Sequence, residues 1–153
     1  MKVGNRVKEY KPNDQYYTPS WIFEQMNIEF DLDVAAPEGG IDWIPAKHYF
    51  DESTDGLAKD WFGRVWMNPP FSKQRPWIEK FVDHKNGVAL LPWSKSKSLM
   101  AIWNEADAIT MLPATLRFEH KTDGLKGIFV ACGLFAFGSD CVKAINKLEN
   151  KVR

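Results

Sequence analysis

The sequence is poor in cysteine, with two among 153 residues. Cys132 and Cys141 form no CxxC pair, and no histidine cluster lies near them. That spacing argues against a zinc site and against a disulfide scaffold. His48, His84 and His120 are scattered without ligand spacing, so no metal is expected. No apolar run reaches the roughly 18 residues that a membrane span needs. Met1-Lys2-Val3-Gly4-Asn5 lacks an apolar signal core, and the expectation is an intracellular, cytoplasmic protein. Net charge is missing too, because 20 Lys and Arg balance 20 Asp and Glu. There is no internal repeat, low-complexity block or evident linker.

What is present is a core and an uneven distribution of charge. Hydrophobic residues make up 44% of the chain, enough for one domain of this length. Residues 29–60 carry nine acids and two bases, while residues 61–103 carry seven bases and two acids. Such neighbouring stretches suit a site for a cationic cofactor beside one for a polyanion. They are equally compatible with an ordinary mixed surface. Aromatics reach 14%, with seven Trp, and several fall in polar loops where a ring can stack.

The apolar periodicity alternates between strand and helix. Residues 1–15 read as an irregular arm, and residues 16–153 as one domain. Thr18-Pro19 reads as an N-cap and a first-turn proline, opening a helix to about Asn27. Phe30 to Val34 alternates as a strand, and a short element is expected near Lys47 to Phe50. Arg64 to Met67, Gly87 to Leu91 and Ala108 to Leu112 read as further strands. Helices are expected over Trp77 to His84, Ser96 to Glu105 (capped by Ser94 or Ser96) and Ser139 to Asn150. Arg117 to Lys126 reads as a polar excursion. Gly127 to Phe137 reads as strongly β, with Gly133 as a bend that would make a C-terminal β-hairpin. The pattern predicts an α/β fold with a largely parallel sheet flanked by helices. Ligands in such sheets sit beyond the carboxyl ends of the strands, where Asp33, Asn68 and Pro92-Trp93 fall.

Asn68-Pro69-Pro70-Phe71 closes the Arg64 to Met67 strand. The Asn68 side chain offers a carbonyl acceptor. Pro69 has a carbonyl, no N–H and a fixed φ, and Pro70 holds Pro69 extended. The loop can therefore present two acceptors to one NH2 group, with Phe71 supplying a flat face. Such a site suits the exocyclic amine of a nucleobase. Holding both N–H bonds favours a more tetrahedral nitrogen whose lone pair can meet an electrophile. Positioning and electrostatics would carry the catalysis. A duplex base would have to leave the stack to enter. Cytosine N4, an RNA base or a protein glutamine amide also presents an NH2 to such a loop. A plain Pro-Pro turn after a strand explains the tetrapeptide equally well.

Taken together, these segments resemble the short bacteriophage DNA N6-adenine methyltransferases, among the amino-methyltransferases with an Asn/Asp-Pro-Pro-Tyr/Phe motif. The resemblance runs from about Tyr16 to Phe137. It rests on Tyr17-Thr18-Pro19, Asp31-Leu32-Asp33-Val34-Ala35-Ala36, Asp55-Gly56-Leu57 with Asp60-Trp61, Asn68-Pro69-Pro70-Phe71, Leu90-Leu91-Pro92 and Leu116-Arg117-Phe118. It implies a Rossmann-like fold, S-adenosyl-L-methionine as cofactor and methylation of adenine N6 in DNA, with the adenine flipped from a duplex. By residue, it implies that Tyr17, Thr18 and Pro19 lie along the methionine end of the cofactor. Asp33 and Ala35 match the first-strand motif, Asp55 and Leu57 the pair at the cofactor's adenine, and Asn68, Pro69, Pro70 and Phe71 the catalytic loop. The sequence departs from the family pattern in the late glycines of Ala35 to Gly40, and in Phe71 where tyrosine is commoner. A non-catalytic nucleic-acid-binding module on the same fold is the alternative that the altered loop suggests.

Simpler structural readings exist for several of these residues. Asp33 fits the solvent-facing side of an alternating strand. Asp55 before Gly56 is a good turn residue, and Thr18-Pro19 a good helix start. Lys73, Arg75 and Trp77, past the catalytic loop, and Trp93, Lys95 and Lys97, at the next strand end, suit phosphate contact and stacking. They also suit solvated loops. Arg117 suits a phosphate, a guanine edge or an ion pair with Glu119.

Overall fold

A computed structural model describes residues 16–120, 124–127 and 131–149. The expected arm, residues 1–15, lies outside them. In chain order the elements are β1 (Tyr16–Tyr17), α1 (Ser20–Met26), β2 (Phe30–Asp33), β3 (Ala46–Tyr49), β4 (Val65–Met67), α2 (Arg75–His84), β5 (Gly87–Pro92), α3 (Lys97–Glu105), β6 (Ala108–Met111), β7 (Arg117–His120), β8 (Gly124–Gly127), β9 (Cys132–Phe137) and α4 (Ser139–Glu149).

Six strands form the central sheet in the order β3-β2-β4-β5-β9-β6. β3, β2, β4 and β5 are parallel, and β9 runs antiparallel between β5 and β6. The fold is therefore mixed α/β with a mostly parallel sheet, as the alternating pattern predicts, and is consistent with a methyltransferase fold. Side chains leave the two faces alternately. Trp66, Val88, Leu90, Leu134 and Ala136 join the cluster under α1 and α4. Val65, Met67, Ala89, Leu91 and Phe135 join the cluster under α2 and α3. Each fully buried large side chain contributes roughly 1.5–3 kcal/mol, so neither layer stands without the other.

Three local readings differ from the structure. Helix α1 starts one residue later than expected. Pro19 takes the cap position with φ −69° and ψ 150°, and no side chain caps the helix. The Thr18 hydroxyl is engaged elsewhere, with Asn68. The polar excursion expected over Arg117 to Lys126 contains paired strands, because β7 and β8 run antiparallel there and β1 joins them in a second, three-stranded sheet. Within the segment expected as a hairpin, Gly127 to Phe137, residues 128–130 lie outside the described residues, and Cys132–Phe137 is the single strand β9 with Gly133 in register with Leu91. Gly133 makes room for a ring rather than a bend: a Cβ there would lie 3.1 Å from Trp93.

The topology places the site. From β2 the chain goes outward to β3 and returns across β2 to β4. The order reverses between β2 and β4, at the switch point where open α/β sheets bind ligands. Asp33 ends β2 beside Trp66, and Asn68 follows Met67 at the end of β4.

Candidate active site

Strand β4 delivers Asn68 to the carboxyl edge of the sheet, half-buried beside the buried Pro69. The Asn68 Nδ2 donates to Thr18 Oγ1 at 3.0 Å and to Tyr16 O at 3.4 Å. A backbone carbonyl only accepts, so Tyr16 fixes the orientation of the amide. The NH2 faces β1, and Oδ1 remains as the acceptor on the other side. Thr18 is fully buried, and its carbonyl accepts from Trp43 Nε1 at 2.8 Å. The Tyr17-Thr18-Pro19 segment is thus tied to the loop at Asn68 by hydrogen bonds.

Phe71 begins a short 3-10 turn, Phe71–Lys73, in which Lys73 N donates to Pro70 O at 3.1 Å. Its ring meets the buried Phe118 edge-on at 6.2 Å, and Tyr16 lies 6.1 Å from the same ring. The small sheet of β1, β7 and β8 therefore supports the loop from one side.

Asp33 is 4% exposed at the end of β2, not a solvent-facing strand residue. Burial pushes its carboxyl up to about 7, against one opposing hydrogen bond from Ala35 N at 3.2 Å. Among the described residues no cation pairs with it, whereas Lys47 pairs with Asp31. A buried acid without a partner cation is costly when ionised. A cationic ligand group would relieve that cost, and this carboxylate suits one.

The Asp55 to Leu57 turn is brought against β2. Asp55 has φ 55°, a left-handed conformation that its short polar side chain tolerates. Gly56 packs on the chain after β2 so tightly that a Cβ would lie 2.2 Å from Val34 O. Trp61 Nε1 donates to Gly56 O at 2.8 Å. Lys80, from α2, donates to the carbonyls of Gly56, Leu57 and Lys59, and sits 5.1 Å from the centre of the Trp61 ring. Trp77, expected with Lys73 and Arg75 to stack or to face solvent, is half-buried and stacks on Trp61 at 6.4 Å. Lys80 was not singled out from the sequence. A lysine on an amphipathic helix reads as solvated, and its partners lie more than twenty residues earlier.

Of the basic residues expected at nucleic acid, Lys73, Arg75 and Lys97 line one open cleft of about 670 Å³ with Phe71. Arg75 also pairs with Glu79 at 3.2 Å. Lys95 is exposed in the loop before α3, and Arg117 is exposed on β7, away from this lining. Arg117 makes no ion pair with Glu119 among the described residues. Trp93 is half-buried rather than a free stacking surface, with Trp103 at 5.2 Å and Phe135 at 5.5 Å.

Residues 5–119 match the family model described as DNA N-6-adenine-methyltransferase (Dam). The chain belongs to the Dam family of DNA N-6-adenine-methyltransferases. A relative of the same description, from Haemophilus phage HP1 (strain HP1c1), is 33% identical over 100 residues. The match covers 60% of this chain and 55% of that protein, so the chain spans about half the length of this relative. The family match includes the segments around Thr18, Asp33, Asp55 and Asn68, which the fold gathers at the carboxyl edge of the sheet. A methyltransferase family implies a methyl donor. No described helix is long and apolar enough to cross a membrane.

Proposed function

We propose that this protein transfers a methyl group from S-adenosyl-L-methionine to the N6 amine of adenine in double-stranded DNA, with the adenine flipped out of the helix. The observation that carries the reading is the orientation of Asn68. Its NH2 is engaged by Thr18 and Tyr16, so its Oδ1 is available to accept from a substrate amine.

Asn68 Oδ1 and the Pro69 carbonyl each accept one N–H of the amine. Their fixed positions turn the nitrogen lone pair toward the methyl donor. Pro69 and Pro70 keep the loop stiff, so little reorganisation is needed during the reaction. Phe71, braced by Phe118, stacks on the base. The amine proton becomes acidic only once nitrogen has bonded to carbon, so no strong general base is needed at this edge.

The donor set fits the cofactor. The unpaired buried Asp33 suits a cationic group, and Ala35 holds its carboxylate in place. Thr18 and Pro19, with Tyr17, border the methionine end. Asp55 would accept from the amine of the cofactor's own adenine, and Leu57 would pack on that ring. When bound, S-adenosyl-L-methionine supplies an electrophilic methyl on sulfur. Lys73, Arg75 and Lys97 neutralise phosphates near the loop, and the exposed Lys95 and Arg117, outside the cleft, extend that contact along the strand. Incubation with unmethylated DNA, nuclease digestion and mass spectrometry test the reading. N6-methyladenine is the expected product. N4-methylcytosine or no product would overturn it.

A further inference from the structure

The cleft beside Phe71 contains one feature that phosphate binding does not explain. Gln74 lines it between Lys73 and Arg75, across from Lys97. Its Oε1 is buried and has no hydrogen-bond partner among the described residues. Its backbone is held firmly, because it follows the Phe71–Lys73 turn and its carbonyl accepts from Ile78 N at 2.9 Å as α2 begins. A buried acceptor without a donor destabilises the free protein. The last torsion of glutamine is soft. A swing of this amide into the cleft breaks no bond at Oε1 and releases that cost.

The chemistry of the acceptor limits what it can meet. Phosphate and the 3′–5′ backbone of DNA carry no donor, and they belong to the lysines. Base edges do carry donors. In the major groove only adenine N6 and cytosine N4 donate, while guanine O6 and thymine O4 accept. An amide adds a donor that matches adenine N7, so adenine is the best partner.

We infer that Gln74 is a specificity-determining residue that reads an amino-bearing base, adenine before cytosine, next to the methylated base. This rests on the cleft being the DNA site of the proposed methyltransferase. The wild-type protein tests that premise alone, through methyl incorporation into random-sequence DNA. Sequencing the methylated sites then gives the preference at each flanking position. Gln74→Met keeps the length of the side chain but removes the acceptor, and Gln74→Glu keeps the acceptor but removes the donor.

For wild type, one flanking position should favour adenine or cytosine over guanine or thymine. Gln74→Met should reduce that preference by roughly 5- to 150-fold, the discrimination of one base contact. Its melting temperature should stay the same or rise, since an unpaired buried acceptor is removed. Gln74→Glu should shift the preferred base from adenine toward cytosine. An equal loss of rate at all sequences, with a lower melting temperature, would mean a structural role and overturn the inference. Unchanged preferences in Gln74→Met would overturn it while leaving the methyltransferase reading intact. No incorporation by wild type would remove both.

Discussion

The hydroxyl of Thr18 and the amide of Asn68 meet at 3.0 Å, across 50 residues of sequence. Thr18 is fully buried, so water does not reach its hydroxyl. Losing a buried hydrogen bond costs about 1–3 kcal/mol when one group is left unpaired. Thr18→Val keeps the shape and removes the acceptor. It should lower kcat by roughly 5- to 150-fold, and Thr18→Ser should restore most of the rate. Steady-state kinetics of the two variants check this. Equal rates for Thr18→Val and wild type would separate Thr18 from the orientation of Asn68.

Asp33 gives a pH prediction for stability. Its carboxyl rises from 3.8 to about 7 in the folded protein. Between those values the folded chain keeps a proton that the unfolded chain releases. Its contribution is full below about 3.8, falls as pH rises toward 7, and is constant above. The loss amounts to at most about 4 kcal/mol. Denaturant titrations of the cofactor-free protein should show this slope, and Asp33→Asn should remove it. Cofactor affinity should rise as pH passes through 7, because the ionised form attracts a cation.

Lys80 gives a prediction about a turn. It gathers the carbonyls of Gly56, Leu57 and Lys59 and faces the Trp61 ring. Lys80→Met retains the aliphatic packing but leaves those carbonyls without their cation. Stability should fall by about 1–3 kcal/mol, and cofactor affinity should weaken with it. Thermal melts and calorimetry with S-adenosyl-L-methionine measure both. Gly56→Ala should be more damaging, since its Cβ would lie 2.2 Å from backbone oxygen.

The basic cleft gives a prediction about salt. Each lysine that contacts a phosphate adds about 0.9 to the slope of log K against log salt on duplex DNA. Lys73→Ala and Lys97→Ala should each lower the slope by about that amount. Anisotropy titrations over a range of salt read it directly. Arg75→Ala should have less effect, because its guanidinium is shared with Glu79.

Much of this site was legible because its signals are local. The alternation of Phe30 to Asp33 and the apolar run Gly87 to Leu91 mark strands, and the double proline marks the end of β4. The parallel alignment of β4 and β5 follows from the intervening helix α2. Non-local partnerships were not legible. Thr18 reads as a helix cap, since an N-cap threonine and proline look the same whether the hydroxyl turns to its own helix or to Asn68. Arg117 to His120 reads as polar because Phe118 is its one apolar residue, yet main-chain pairing to β1 and β8 makes it a strand. Gly133 reads as a bend because the Trp93 ring that requires it lies forty residues earlier. The orphan oxygen of Gln74 is invisible without a three-dimensional environment.

The most direct test is transfer of tritiated methyl from S-adenosyl-L-methionine to unmethylated DNA, comparing wild type with Asn68→Ala. The substitution removes Oδ1, one of the two acceptors for the amine, and leaves the sheet edge in place. Incorporation at adenine N6 by wild type, with a fall of roughly 10²–10³-fold in Asn68→Ala, is the predicted result. Equal incorporation by the two proteins would contradict the role given to Asn68.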